Sequence, residues 1–104
     1  MKEKTNWKSF KINVAIQVLP EAENKLKYSL VDAAIEAIKQ TGLRYVVCPF
    51  ETVVECSFDE LPGLLDQIHE ACLDAKAEQM LTNLKIQVNF KGDVTIENKM
   101  EKYF

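Results

Sequence analysis

Apolar residues recur along the chain at two spacings, one typical of strands and the other of helices, in successive segments. In residues 11–19 every second side chain, from Ile12 onward, is β-branched and apolar, which is typical of a strand that buries one face. Residues from about Leu26 to Gln40 carry apolar side chains at helical spacing, which predicts a first helix that Gly42 ends. Residues 43–58 contain two β-rich runs around a Pro-Phe-Glu break, which predicts a β-hairpin with a four- or five-residue connection.

The second half of the chain predicts a helix, a strand and a short terminal helix. Asp59 is expected to cap the helix, which runs to about Lys76. Residues 81–90 alternate again and predict a fourth strand, which the turn at residues 91–93 ends. Thr95 is suited to cap the terminal helix.

The predicted order of elements is strand, helix, strand, strand, helix, strand, which is typical of the ferredoxin-like α+β fold. Right-handed crossovers then place the first and third strands at the centre of a four-stranded antiparallel sheet, with both long helices on one face. We therefore expect residues 11–104 to form a single domain and residues 1–10 to be an N-terminal extension. A chain of 104 residues can bury one core without a metal or a disulfide.

The composition of the chain argues against some classes of binding partner and favours one cellular location. The net charge of −3 argues against nucleic acid and anionic membranes, both of which attract cationic surfaces. No apolar run reaches the ~18 residues of a membrane span, and the N-terminal residues lack the apolar region of a signal peptide, so a cytoplasmic location is expected. The cysteines, Cys48, Cys56 and Cys72, lack CxxC spacing and lie in apolar segments, so buried free thiols are expected.

The sequence contains no recognisable set of catalytic residues. His69 is the only histidine, no nucleophile stands beside a base in a known pattern, and the three glycines are isolated. A metal site would require more histidine or paired cysteine ligands than the chain offers. We therefore expect no enzymatic activity, no catalytic residues, no metal and no cofactor.

The sheet face turned away from the long helices is expected to be mixed in character. Its members are Asn13, Ala15, Gln17, Val53, Glu55, Ser57, Asn83, Lys85 and Gln87. Glu55 lies in the middle of a strand, where a carboxylate needs a partner; Gln17 is expected beside it and Lys85 within reach across Gln17. Two interpretations stay open. The face is a subunit interface in which Glu55 and Lys85 pair, or it holds a polar pocket that recognises a nitrogen-rich ring.

Short motifs along the chain are shared, in order and without gaps, with one known family. They are Pro20, Ala33-Ala34-Ile35, Gly42, Leu43, Tyr45, Pro49, Thr52, Val53, Glu55, Asp59, Glu60, His69-Glu70-Ala71, Lys85-Ile86, Thr95, Glu97 and Lys99. Over roughly residues 14–99 the chain resembles the small thiamine-binding proteins of bacteria and archaea. It departs from them at Glu51 and Lys76, where the family tends to have glycine, and at Tyr28, where it tends to have serine.

The resemblance implies a non-enzymatic binder of thiamine or of its hydroxymethylpyrimidine portion, assembled as a dimer or tetramer through its sheets. The residues then expected to bind the ligand are Glu55, Thr52, Gln17, Asn83, Phe50 and Lys85. Glu55 would accept hydrogen bonds from the aminopyrimidine or offset the thiazolium charge, and Phe50 would stack on a ring. The alternative is a structural or regulatory interaction module whose sheet face only mediates oligomerisation.

Overall fold

The chain folds into one four-stranded sheet with helices on both of its faces. A computed structural model describes residues 6–23 and 27–103, without the side chains of Lys27 and Tyr28. The elements are a 3-10 turn Trp7–Ser9, β1 Lys11–Glu21, α1 Lys27–Gln40, β2 Arg44–Val47, β3 Thr52–Ser57, α2 Leu61–Asp74, β4 Gln79–Gln87 and α3 Ile96–Met100. The predicted helix start at Leu26 and the first five residues of the extension lie outside the described residues.

The strand order confirms the ferredoxin-like fold. The strands are antiparallel throughout and lie in the order β2-β3-β1-β4, so the first and third strands are central as predicted. The hairpin connection between β2 and β3 has four residues, 48–51, and Gly42 ends α1 with a φ of +75°. Within the described part of the chain no helix is long and apolar enough to cross a membrane.

The core lies between the sheet and the two long helices. Apolar side chains from β1, β3, α1 and α2 meet there and are almost fully buried. They are Ile12, Val14, Ile16, Ala34, Ala37, Ile38, Val54, Cys56, Leu61, Leu64, Ile68 and Cys72. Each fully buried aliphatic side chain of this size contributes about 1.5–3 kcal/mol through the hydrophobic effect. The sheet face opposite the core therefore faces α3 and solvent, and it carries the polar positions of the strands.

Burial also controls the pKa and the reactivity of the cysteine thiols. Desolvation, together with the nearby Glu60 carboxylate, raises the pKa of Cys56 to about 11. Burial raises the pKa of Cys72 as well. Both thiols therefore stay protonated and unreactive at neutral pH. The expectation of buried thiols is wrong for Cys48, which is only half-buried in the connection between β2 and β3.

The start of α2 differs from the prediction that Asp59 caps it. Ser57 and Glu60 instead satisfy each other: the Ser57 amide donates to Glu60 Oε1 at 2.8 Å, and the Glu60 amide donates to Ser57 Oγ at 3.1 Å. This exchange has the Ser-x-x-Glu pattern of a capping box, and it closes the turn of residues 57–60 that leads into α2. Glu60 is itself the N-cap residue of α2, and its side chain makes no capping bond to the helix. Asp59 stays exposed.

The end of α2 requires a left-handed residue. Lys76 has a φ of +76°, and its amide donates to the Leu73 carbonyl at 2.9 Å. The next amide, of Ala77, donates to the Cys72 carbonyl at 2.9 Å. These two bonds form a Schellman motif, in which glycine is the preferred residue because it has no Cβ. Lysine at this position therefore stores strain.

The segment after β4 folds back across the outer face of the sheet, which is the face opposite the core. Its Val94 amide donates to the Lys11 carbonyl at 2.8 Å, which aligns the segment beside the start of β1. Thr95 then caps α3 by accepting from the Asn98 amide at 3.1 Å, as predicted. Ile96, which is 3% exposed, buries its side chain at the start of the helix.

Glu55 is the outer-face side chain that holds this helix. Its Oε1 accepts a hydrogen bond from the Ile96 amide at 2.8 Å, and its Oε2 lies 3.9 Å from Lys11 Nζ. The Glu55 side chain is only 10% exposed. A carboxylate at a helix N-terminus satisfies an amide that the helix itself leaves unpaired and is favoured by the helix dipole. The mid-strand carboxylate therefore has a structural partner within the chain.

The N-terminal segment also packs on the domain. The Trp7 ring meets Phe58 and Phe90 edge-on, with centroids 5.0 and 5.3 Å away. The Asp59 amide donates to the Lys8 carbonyl at 3.3 Å. Residues just before β1 are thus tied to the ends of β3 and β4.

Replacing Lys76 by glycine is expected to stabilise the protein, because the left-handed backbone then carries no Cβ penalty. The gain should be about 0.5–1 kcal/mol, or a rise in melting temperature of about 2–8 °C. Gly42→Ala is the matched control: its Cβ would meet nothing within 4 Å, so only the backbone cost acts and the melting temperature should fall. Thermal unfolding by circular dichroism measures both; a lower melting temperature for Lys76→Gly contradicts the assignment.

Removing the Glu55 carboxylate is expected to release α3. Glu55→Ala leaves the buried Ile96 amide unpaired and should cost about 1–3 kcal/mol in the free energy of unfolding. Hydrogen exchange at the Ile96 amide should accelerate more than exchange in the core strands. Glu97→Ala is the control, because Glu97 makes an exposed ion pair with Arg44 at 2.8 Å that contributes about 0–1 kcal/mol. Equal effects of the two variants would show that Glu55 has no special role.

Candidate functional site

The residues predicted to bind a ligand are divided between the two faces of the sheet. Thr52 pairs with Ile16 and points toward the core, where it is 6% exposed. Glu55 pairs with Asn13 on the outer face, whereas Gln17 pairs with Asn83 at the other end of β1. Gln17 and Asn13 are four residues apart, or about 13 Å along the strand. The expectation that Gln17 and Glu55 are neighbours is therefore wrong.

The reason is the register between β1 and β3. β3 begins at Thr52, opposite Ile16, so Gln17 lies beyond the paired end of β3 and beside the β2–β3 connection. The alternation of apolar residues fixes which face of a strand enters the core, but a shift by two residues keeps that face, so the sequence pattern does not reveal the register between β1 and β3.

Glu55 and Lys85, which the sequence left as a possible pair, have different partners. Lys85 Nζ lies 3.2 Å from Glu51 Oε1 and 3.3 Å from Glu51 Oε2. Glu51 ends the connection and reaches across the outer face to Lys85, while Glu55 is occupied by Lys11 and α3. The sequence analysis noted Glu51 only as a departure from the family. Its charge, at a position where glycine was expected, was the feature that could have identified it as a site residue.

A cleft opens between α1 and the β2–β3 connection, and we call it the α1 cleft. Its volume is about 90 Å³. Gln17, Phe50 and Thr52, three of the predicted ligand-binding residues, line it together with Cys48 and Glu51. Pro49 and apolar residues of α1 and β1 form the rest of its wall. The structure thus brings together half of the predicted set and adds Glu51.

The polar groups of the α1 cleft are held in defined positions. Gln17 Oε1 accepts from Asn83 Nδ2 at 3.1 Å, which fixes the amide. The Glu51 side chain is 26% exposed and held by Lys85. Phe50, 81% exposed, stands at the rim with its ring free to stack. A cleft this small accepts a single ring, since pockets for larger ligands measure roughly 300–1,000 Å³.

His69 and the carboxylates form no metal site among residues 6–23 and 27–103. No group of three His, Cys, Asp or Glu side chains there could hold a metal ion. His69 Nδ1 lies 2.7 Å from the Leu65 carbonyl and Nε2 lies 2.9 Å from Thr82 Oγ1. A carbonyl only accepts, so Nδ1 donates to it, and Nε2 shares the second hydrogen bond with the Thr82 hydroxyl. Both nitrogens are therefore engaged.

Tyr28, another departure noted in the sequence, has a side chain that lies outside the described part of the chain. Glu51 is therefore the departure whose effect on the α1 cleft is visible. Where the family tends to have glycine, this chain places a carboxylate at the rim.

Two relatives with similar sequences carry the name UPF0045 protein. The one from Clostridium perfringens is 36% identical over 91 residues, which cover 88% of this chain and 95% of that protein. The one from Methanothermobacter thermautotrophicus is 35% identical over 74 residues, which cover 70% of this chain and 75% of that protein.

Solved structures agree with the architecture. A domain of unknown function, DUF77, from Bacillus cereus matches with a TM-score of 0.85 and 38% identity, over 95% of each chain. A candidate thiamine biosynthesis/salvage protein from Thermotoga maritima matches with a TM-score of 0.80 and 32% identity, over 90% of this chain and 99% of that one. The family profile described as thiamine-binding protein matches residues 14–104, almost everything from the middle of β1 onward. The chain therefore belongs to the thiamine-binding protein family.

Proposed function

We propose that the chain binds thiamine through its pyrimidine portion, without chemical conversion, in the α1 cleft. The observation that carries the proposal is the convergence of Gln17, Phe50 and Thr52 with Glu51 around one small cleft. Membership of the thiamine-binding protein family, and a general role related to thiamine, support the choice of ligand. The volume suits one pyrimidine ring, with the thiazolium ring outside.

Each lining group has a part in this proposal. The Thr52 hydroxyl and the Gln17 amide hydrogen-bond to the ring nitrogens and the amino group of the pyrimidine. Phe50 stacks against the exposed ring. Glu51 offsets the positive charge of the thiazolium, the part that the sequence assigned to Glu55.

The other three predicted residues have supporting parts outside the α1 cleft; they are Asn83, Lys85 and Glu55. Asn83 fixes the Gln17 amide by the hydrogen bond between their side chains. Lys85 holds Glu51 in place but also competes with a cationic ligand for its charge. Glu55 keeps α3 on the outer face of the sheet.

Binding without catalysis, in the cytoplasm, fits the remaining chemistry. The His69 ring has both nitrogens engaged in hydrogen bonds, so it offers no free base. Cys56 and Cys72 are free and buried, and their thiols are kept protonated, which suits a reducing compartment.

Isothermal titration should show saturable binding of thiamine, in the micromolar range or tighter, and of hydroxymethylpyrimidine. Thr52→Val and Phe50→Ala should each weaken binding about five- to tenfold, because a net hydrogen bond or a stacked ring contributes roughly 1 kcal/mol. Lys85→Met should act in the opposite direction for thiamine alone, strengthening it about two- to fivefold, because Glu51 is released from an exposed pair.

Tyr103→Ala is the control for Phe50→Ala, since Tyr103 is an exposed ring (69%) that does not line the α1 cleft. The proposal fails if neither ligand gives heat, or if Tyr103→Ala weakens binding as much as Phe50→Ala.

Self-association through the outer face is the second candidate function, and one observation favours it. Leu19 and Leu81 lie opposite each other on neighbouring strands of this face and are 46% and 59% exposed. This pair of leucines lies at one end of the sheet, and β4 is an edge strand. An apolar pair beside an open strand edge suits contact with a second copy of the chain.

Light scattering on a sizing column should show a dimer or tetramer for the native chain and a smaller particle for Leu81→Lys, because a buried lysine is costly. Leu73→Lys is the matched control: Leu73 is equally exposed (61%) but lies on α2, on the other side of the sheet. A monomeric native chain, or equal dissociation by both variants, excludes this surface.

A further inference from the structure

One buried side-chain oxygen on the outer face lacks a hydrogen-bond partner within the described part of the chain. Asn13 lies near the start of β1 and is 5% exposed. Its Nδ2 donates to the Val94 carbonyl at 3.2 Å, and because a carbonyl only accepts, this bond fixes which end of the amide is the oxygen. Oδ1 then accepts from no group in residues 6–23 and 27–103. Buried acceptors are rarely left unpaired, so each such atom requires an explanation.

Two cavities flank this amide. One has a volume of about 270 Å³ and the other of about 170 Å³. Asn13, Val53 and Lys99 line both of them, so they form one groove between α3 and the outer face, which we call the α3 groove. Each cavity is several times the ~30 Å³ that a water molecule occupies in the liquid. The α3 groove therefore has room for an organic molecule.

The two ends of the α3 groove differ in chemistry. The smaller cavity is walled by Val46, Ile96 and Met100, which are apolar. The larger cavity has a mixed lining with more polar side chains, among them Lys85 and Glu51, which neutralise each other. The α3 groove thus has an apolar slot at one end and a polar mouth at the other.

Lys99 supplies the charge of the polar mouth. Its Nζ donates to the amide oxygen of Gln87, which is neutral. Among the described residues no carboxylate lies within 4 Å of Lys99 Nζ. The cation is therefore available to an anionic ligand.

We infer that the α3 groove binds a small aromatic carboxylate that carries an N–H or O–H donor. The ring enters the apolar slot against Val53 and Met100, the donor bonds to Asn13 Oδ1, and the carboxylate pairs with Lys99. Because Asn13 is almost fully covered, a side chain of the groove moves to admit the ligand. Lys99, which lines both cavities, is long enough to do so by leaving Gln87 for the carboxylate. This site lies on the opposite side of the sheet from the core and goes beyond the thiamine proposal.

The test compares three probes on the native chain by amide-detected NMR. The probes are 4-aminobenzoate, benzoate, which lacks the donor, and aniline, which lacks the carboxylate. We expect 4-aminobenzoate to shift the Asn13 side-chain amide and the backbone amides of Ile96 and Lys99. Its affinity should exceed that of benzoate and of aniline at least tenfold.

Two variants separate the contributions of the polar groups. Asn13→Leu should abolish the preference for 4-aminobenzoate over benzoate, because the acceptor is gone. Lys99→Gln should abolish the preference over aniline and leaves Asn13 in place, so it tests the inference even where Asn13→Leu fails to fold. Lys102→Gln is the matched control, since Lys102 lies over Tyr103 outside the α3 groove, and it should change nothing.

Three outcomes would overturn the inference: no shift at millimolar 4-aminobenzoate, equal shifts with benzoate, or shifts confined to the α1 cleft. A thiamine titration of the same sample reports on the α1 cleft through Thr52 and Phe50. Failure of one site is therefore distinguishable from failure of the other.

Discussion

β1 pairs with β3 on one side and with β4 on the other, and the rest of the molecule depends on the register of those two ladders. With Val14 opposite both Val54 and Ile86, alternate residues of the central strand enter the core or the outer face. A slip of one residue would bring Asn13 into the core and expel Val14. The apolar face of β1 makes such a slip costly, and so the positions of the α1 cleft and the α3 groove are set together.

Much of this arrangement could be predicted from the alternation of apolar residues. Periodicity identified the strands and helices, and the connection rules then gave the strand order. Local chemistry was sufficient where a residue acts on its own neighbours, as Thr95 does at the start of α3 and Gly42 does after α1.

Contacts between distant segments were harder to predict from the sequence. Glu55 was recognised as a carboxylate that needs a partner, but its partner is an amide 41 positions later, on a segment that folds back over the sheet. Asp59 was chosen as a cap because aspartate is favoured there, whereas the Ser57-x-x-Glu60 pattern was the stronger signal and was overlooked. The pairing of Glu51 with Lys85 follows from the exact end of the hairpin, which only the folded register defines.

The aromatic contact at the N-terminus has a spectroscopic consequence. Trp7 is the only tryptophan of the chain, and its ring lies between Phe58 and Phe90, which follow β3 and β4. Its fluorescence therefore responds to the distance between those two strand ends and to the docking of the segment before β1. The protein thus carries a built-in optical reporter at one end of its sheet, far from Phe50 at the rim of the α1 cleft.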